Sequence, residues 1–251
     1  MTDVLSGKKA LVTGGSRGIG AGVVRRLAAD GASVAFTYVQ AKDTADALVG
    51  EIVEAGGRAV AIQADAADRA SVRSAVATTV AELGGLDILV NNAGQGVVAP
   101  LAEFPDETFD RIMALNVTAA FTAIQAASEH LTEGGRVITI GSVNADIVPF
   151  AGLSAYTTSK AAVAGLTRAV AVELAPRGIT VNNLQVGPTN TESNPDSGPF
   201  AKVMTGLMPI GKFAQPSDIA SAVAYLAGPE AWYVTGASWN VDGGFGLGFH
   251  S

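Results

Sequence analysis

The sequence predicts a doubly wound α/β fold, a mainly parallel seven-stranded sheet with helices on both faces. Three observations carry that expectation. Short β-branched or apolar runs recur along the chain, helix-length segments separate them, and the runs lack the alternation of a half-exposed sheet. The runs are "KKALVT" (8–13), "SVAFTY" (33–38), "AVAIQA" (59–64), "LDILVN" (86–91), "RVITIG" (136–141), "ITVNNL" (179–184) and "ASWNVD" (237–242). Strands buried between two helix layers read this way.

The connecting segments follow in order. "VTGGSRGIG" (12–20) lies between the first strand and the first helix, at the carboxyl end of the strand, where open α/β sheets bind ligands. Its glycines let backbone approach a diphosphate, and the helix start offers unpaired N–H groups to it. The spacing is Gly14-x-x-x-Gly18-x-Gly20, without the G-x-G-x-x-G fingerprint, and a plain tight turn would have the same composition. The second strand ends at Tyr38, uncharged where NAD-specific proteins place an acidic residue. With Arg17 in the loop and Lys42 just beyond the strand, this favours NADP(H), although NAD(H) remains compatible and Arg17 could equally be a solvated surface charge. Gly56-Gly57 and Gly84-Gly85 mark two helix exits. In "PDETFDRIMALNVTAAFTAIQAASEHL", Pro105, Asp106 and Glu107 supply helix-start chemistry. The stretch 187–215 is rich in Pro, Gly, Asn and Ser and too long for an ordinary connection, so it is expected to be an irregular substrate loop or lid.

Composition excludes several function classes. Sixteen Lys+Arg stand against 23 Asp+Glu, and a net charge of -7 repels a phosphate backbone, so nucleic acid is not an expected partner. The chain has no cysteine, which removes thiol nucleophiles and cysteine-ligated zinc and is compatible with a reducing cytosol. Its two histidines, His130 and His250, lie where neither a Ser-His-Asp triad nor a two-histidine metal site is easily built, and no metal site is expected. No stretch approaches the ~20 apolar residues of a membrane span. The mean hydropathy of +0.33 reflects abundant Ala and Val. A single cytoplasmic domain, 1–251, is the expectation.

In "SAYTTSK" (154–160), Tyr156 and Lys160 stand four positions apart and share one helix face. A free phenol titrates near pH ~10, and an adjacent ammonium lowers that value by stabilising the phenolate. In a chain nearly without histidine this pair is the strongest acid/base candidate, although a core tyrosine beside a solvated lysine would look the same. "IGSVNA" puts Ser142 just past the fifth strand, and "NNAG" (91–94) follows the fourth, so three strand ends converge on one crevice with the glycine loop.

From "TGGSRGIG" through "NNAG", "LNVTA", "GSV" and "YTTSK" to "VDGG", the chain resembles a short-chain dehydrogenase/reductase, similar to 3-oxoacyl-carrier-protein reductases and other carbonyl reductases. The resemblance covers essentially the whole chain and implies a Rossmann-like fold and a catalytic tetrad. In that tetrad Tyr156 protonates the substrate carbonyl and Ser142 hydrogen-bonds the same oxygen. Lys160 holds the nicotinamide ribose and tunes Tyr156, and Asn116 holds a water linking Lys160 to solvent. A strand-end hydroxyl cap and a helix-interior amide are the ordinary roles of such a serine and asparagine. The resemblance also implies that Gly14, Ser16, Gly18, Ile19 and Gly20 cradle the cofactor diphosphate, with Arg17, Tyr38 and Lys42 near the adenosine ribose. It sets Asp65 and Ala66 along the adenine, and Asn92, Ala93 and Gly94 along the nicotinamide half of the groove. Gly187, Pro188, Thr189 and Thr191 would meet the carboxamide. Asp65 could instead cap the next helix, as could Asp68.

Two departures stand out. Val186 occupies a position where most members carry proline, which predicts a less rigid entry to the substrate loop. One extra residue lies between Ser142 and Tyr156, in a loop that walls the pocket. The expected pocket residues, Gln95, Val97, Val143, Asn144, Phe150 and the 190–213 segment, offer few charges. The sequence therefore predicts NADPH-dependent reduction of a small or apolar-substituted ketone. The alternatives are carrier-linked 3-oxoacyl reduction, with Arg111 or Arg168 greeting an acidic carrier, or a nucleotide sensor without turnover. A homotetramer is implied by the family and by the apolar tail "VDGGFGLGFHS".

Overall fold

The computed structural model describes residues 3–247; His250 and the end of the apolar tail lie outside them. Among the described residues seven strands form one parallel sheet in the order β3-β2-β1-β4-β5-β6-β7. They are β1 Lys9–Val12, β2 Ser33–Tyr38, β3 Arg58–Gln63, β4 Ile88–Asn91, β5 Arg136–Ile140, β6 Thr180–Val186 and β7 Ser238–Val241. Each falls on one predicted run. Eight α-helices lie among the same residues: α1 Gly18–Ala29, α2 Lys42–Glu54, α3 Arg69–Leu83, α4 Asp106–Met113, α5 Ala119–Ser128, α6 Ser154–Leu174, α7 Pro199–Gly206 and α8 Pro216–Ala227.

Consecutive residues of each strand feed opposite layers, which is why the runs are apolar throughout. Ala10, Val12, Val34, Phe36, Ile88, Val90, Ile138 and Ile140 pack with α1, α2 and α8. Leu11, Ala35, Leu89, Val137 and Val181 pack with α3, α5 and α6. Predicted helix punctuation holds: Gly84 ends α3 at φ 77, and Gly56 follows α2 at φ 84. Asp68, rather than Asp65, caps α3 by accepting from Ala70 N and Ser71 N.

The chain runs outward from β1 to β3 and then returns to place β4 on the other side of β1. That reversal opens a crevice at the carboxyl ends of β1 and β4. Just there the apolar core gives way to a polar row. Asn91 pairs with Thr139, Thr139 with Asn183, and Asn183 with Ser238. Continuing β1 and β2 one residue beyond the Val12–Phe36 pair adds Thr13 and Thr37. Six polar side chains thus cross the sheet one layer above Leu11, Ala35, Leu89, Val137 and Val181.

Buried amides also fasten the last strand. Asn182 Nδ2 donates to Val234 O at 2.6 Å, its Oδ1 accepts from Ala237 N at 3.2 Å, and Asn183 Nδ2 reaches Ser238 Oγ at 3.2 Å. At the opposite end of the sheet Arg136, 5% exposed, donates to the carbonyls of Gly134, Gly135 and Gly228. Burial holds its guanidinium below its usual pKa.

The 187–215 stretch is not irregular throughout, as the sequence suggests, because it contains α7. Gly198 turns the chain at φ 93, Pro199 opens the helix, and Ala201 and Met204 point inward. They join Val143, Met208, Phe213 and Phe245 in a third, separate apolar cluster, with Ile147, Phe150 and Leu207 against it. Val186, for its part, ends β6 in register with Val241, and Gly187 N donates to Val241 O at 3.0 Å. The strand ladder therefore fixes this exit where a proline ring would otherwise do so.

Candidate active site

The glycine loop is built by contacts only glycine permits. A β-carbon on Gly15 would stand 2.5 Å from Phe36 Cβ, and one on Gly20 only 2.2 Å from Gly14 O. Asn92 Nδ2 ties the loop down by donating to Thr13 O and Gly14 O, both at 2.9 Å, while Gly14 N donates to Thr37 Oγ1 at 2.9 Å. Arg17 is the N-cap of α1, yet no side chain caps the helix. Its first N–H groups are left for an anion at a glycine-lined cradle, which is the arrangement a cofactor diphosphate requires. Thr13, absent from the predicted set, organises the next turn: its Oγ1 accepts from Asn92 N and Ala93 N at 3.0 and 3.1 Å.

The structure brings most of the predicted groove residues together. Tyr38 ends β2 nearly buried, and Lys42 opens α2 with its ammonium on Asp46 at 2.5 Å, which raises the lysine's pKa. Arg17 reaches across to Glu192 at 3.6 Å, and both side chains are well exposed. Thr191 lies against Gly18, where a β-carbon would meet its methyl at 3.3 Å. Asp65 Oδ1 accepts from Ala67 N at 2.9 Å, its Oδ2 faces Arg111 at 3.9 Å, and Ala66 is buried beside it. Thr189 Oγ1 donates to Gly187 O at 3.0 Å, and Pro188 O accepts from Ala214 N at 3.0 Å. Arg168, by contrast, is an exposed residue of α6.

Tyr156 and Lys160 occupy the first two turns of α6 as predicted. Lys160 is 7% exposed, donates from Nζ to Ile140 O at 2.8 Å, and lies 5.7 Å from the centroid of the Tyr156 ring. No ion pair among the described residues includes it. The ring rests on Gly96, where a β-carbon would sit 3.1 Å from Tyr156 Cδ2. A side chain at position 96 would require the ring to give by a few tenths of an ångström.

Asn116 and Ser142 combine ordinary and special roles. Between α4 and α5 the helix widens into a π turn, Ala114–Thr118, and Asn116 is its buried residue. Single π turns of this kind are frequent at functional sites. The amide is spent on structure: Oδ1 accepts from Gln95 N, and Nδ2 donates to Gln95 O and to Ser159 Oγ, all at 2.9 Å. It thereby fixes the segment running through Gly94 and Gly96 against α6. Ser142 starts a 3-10 turn, Val143–Ala145; its hydroxyl accepts from Asn144 N and donates to Asn144 Oδ1, both at 3.1 Å. The strand-end cap is therefore real, and the hydroxyl stays at the carboxyl end of β5. Sequence reasoning gave no role to Thr13, Gly96 and Ser159, since a strand-end threonine, a loop glycine and a small helix residue carry no spacing signal of their own.

Phe150 and Phe200 meet edge to face with centroids 5.6 Å apart, and Val98, Leu101, Val148, Val203 and Ile210 are exposed.

Comparison with known proteins extends these observations. A family model described as enoyl-(acyl carrier protein) reductase matches residues 14–246. The cyclic-di-GMP-binding biofilm dispersal mediator protein of Escherichia coli (strain K12) is 46% identical over 241 residues, spanning 96% of this chain and 98% of its own length. Among solved structures, a short-chain dehydrogenase/reductase from Serratia marcescens BCRC 10948 is 51% identical with a TM-score of 0.95, over 96% of this chain and 99% of that one. A short-chain dehydrogenase from Burkholderia cenocepacia J2315 in complex with NADP is 47% identical, also at 0.95, over 96% and 98% of the two chains. Matches of this length and identity extend well past a shared fold, and the chain belongs to the short-chain dehydrogenase/reductase family of NAD(P)H-dependent oxidoreductases.

Proposed function

We propose that the protein reduces a ketone bearing apolar substituents to a secondary alcohol, using NADP(H). The carrying observation is the buried, carboxylate-free Lys160 beside the Tyr156 ring at the mouth of the crevice. Bound reduced nicotinamide supplies the hydride. Tyr156 Oη gives its proton to the carbonyl oxygen as negative charge develops there, and Lys160 makes that phenol a better acid by stabilising the phenolate it leaves behind. Ser142 Oγ donates to the same oxygen, which requires it to exchange its bond to Asn144 Oδ1 for one to substrate. Asn116 keeps Gln95, and with it Gly96 beneath the phenol, in place. The apolar cluster that holds Val143, Phe150 and Phe245, extended by the contact of Phe150 with Phe200, supports uncharged substituents.

Support for NADP(H) comes from Arg17 and Lys42, which flank the uncharged end of β2, and from the NADP-bound Burkholderia relative. A phosphate on the adenosine ribose would compete with Glu192 for Arg17 and with Asp46 for Lys42. Exposed Trp232, Tyr233 and Trp239 beside the edge strand β7 support assembly with further copies of the chain, which light scattering on a sizing column tests.

The enzymatic test is Tyr156→Phe with a ketone panel. Turnover should fall by about 10²–10⁴-fold while NADPH binding, followed by fluorescence, persists. Undiminished turnover in the variant, or none in the unmodified protein, would refute the reading. A second reading, a sensor of cyclic dinucleotides, is favoured by the name of the Escherichia coli relative. Saturable cyclic-di-GMP binding that Tyr156→Phe leaves untouched, without ketone turnover, would select it.

A further inference from the structure

The hydroxyl at the carboxyl end of β5 is already engaged. Ser142, 4% exposed, has extended backbone and is the N-cap of the 3-10 turn Val143–Ala145. A serine hydroxyl has one hydrogen to give and two lone pairs to receive with. Its hydrogen goes to Asn144 Oδ1 at 3.1 Å, and one lone pair takes the Asn144 backbone N–H, also at 3.1 Å. One residue therefore makes both bonds, and no other group among the described residues bonds this hydroxyl. With its hydrogen given to Asn144, Ser142 has none left for a third partner.

The backbone around it is closed. Ala145 N donates to Ser142 O, and Asp146 N and Ile147 N both donate to Val143 O, all at 3.0 Å. The bond from Asn144 N belongs to that turn and persists with it. The movable part is the Asn144 side chain, which is half-buried and whose Nδ2 meets no acceptor among the described residues. A carboxamide has nearly the same shape with its oxygen and nitrogen exchanged, so a half-turn about the Cβ–Cγ bond puts Nδ2 where Oδ1 stood. Nδ2 then donates to the second lone pair of Ser142, and the hydroxyl hydrogen is released. Either orientation keeps one side-chain bond to Ser142, so the fold itself favours neither strongly. An acceptor arriving in the crevice shifts the balance.

We propose that Asn144 is a positioning residue for the reaction: its amide holds the Ser142 hydrogen until a carbonyl oxygen takes it, then turns over and donates from Nδ2 to Ser142 Oγ. This rests on the role given to Ser142 above. Two N–H groups then converge on a hydroxyl that donates to substrate, and bonds in such a chain strengthen one another. The gain grows as negative charge develops on the substrate oxygen, so it belongs to the transition state more than to substrate binding. A carboxylate of the same shape does the reverse, because it can only accept and keeps the hydrogen.

The test measures kcat and KM for ketone reduction in Ser142→Ala, Asn144→Ala, the double variant and Asn144→Asp. Asn144→Ala should lower kcat about tenfold while KM and NADPH affinity hold. Ser142→Ala should lower it about 10²–10³-fold, and adding Asn144→Ala to it should cost nothing further, because the amide acts only through the hydroxyl. Asn144→Asp should be slower than Asn144→Ala even though it preserves the side chain's shape; a merely structural role gives the opposite order. Additive losses in the cycle, or an Asn144→Asp enzyme faster than Asn144→Ala, overturn the proposal. If Asn144→Ala does not fold, the cycle is run with Asn144→Asp, and a loss as large without the Ser142 hydroxyl as with it overturns the proposal. An unmodified protein inactive on every ketone would refute the reductase reading and this role with it, whereas an active one with additive losses removes the role of Asn144 alone.

Discussion

At the scale of single residues, glycines separate into those that geometry demands and those it does not. Gly20 is demanded: its absent β-carbon would overlap Gly14 O at 2.2 Å and Asn92 Nδ2 at 2.6 Å, both fixed by the loop's own hydrogen bonds. Gly20→Ala should therefore cost about 1–3 kcal/mol in denaturant unfolding and weaken NADPH binding markedly. Gly50, inside α2 with nothing within 4 Å of its missing β-carbon, should behave oppositely. Gly50→Ala is expected to stabilise by about 0.5–1 kcal/mol through helix propensity. Comparable effects at the two positions would contradict this account of the loop. The sequence displays both as simple glycines. Tyr156 and Lys160 were legible because helical periodicity alone sets them side by side, whereas Asn91 acquires its neighbours only through the register of β4 against β5. No local pattern encodes that register.

At the scale of elements, the strands were legible because burial on both faces leaves runs of Val, Ile, Leu and Ala. The π turn was not, since one additional residue in a helical turn changes no composition. Helix α7 was hidden by the Pro, Asn and Ser residues around it, although Pro199 and the inward Ala201 and Met204 are ordinary helix chemistry. Contacts between elements make a pH-dependent prediction. Glu51 of α2 receives Arg25 of α1 through three N–H···O contacts of 2.8–2.9 Å. The hydrogen bonds from Arg25, more than its charge at a distance, hold the Glu51 carboxyl below its usual pKa. A carboxyl with a lowered folded pKa adds stability above its unfolded value and loses it as pH falls through the folded one. Both side chains are about half exposed, so Glu51→Gln should destabilise by less than about 1 kcal/mol at pH 7. At a pH below the folded value that penalty should shrink toward zero, since both proteins are then uncharged at this position. Urea midpoints at the two pH values check it, and a constant difference would show that the pair is not its source.

For the whole molecule, the groove joins parts that are distant in sequence: the glycine loop, the ends of β2 and β4, and the 187–215 segment, with Arg17 and Glu192 already in contact across it. A ligand that bridges these parts binds only the folded chain. NADPH at about a hundred times its Kd should add ~2.7 kcal/mol of stability, and a melting curve should move up by several degrees. NADH at the same concentration should give a smaller shift, and equal shifts would remove the case for the phosphate-bearing cofactor. Sheet order and crevice were legible from the alternation of strands and helices. The exposed aromatic residues near β7 were not, because they become a surface only once the sheet has an edge.

The third apolar cluster has an evolutionary consequence. Met204, Met208, Phe213, Phe150 and Phe245 bury one another without joining the two layers that grip the sheet. Replacements among them can reshape what the enzyme admits while α6 and the glycine loop keep their own supports. Libraries restricted to this cluster should yield altered substrate preference at little expense in melting temperature, which makes it the natural starting point for re-engineering selectivity.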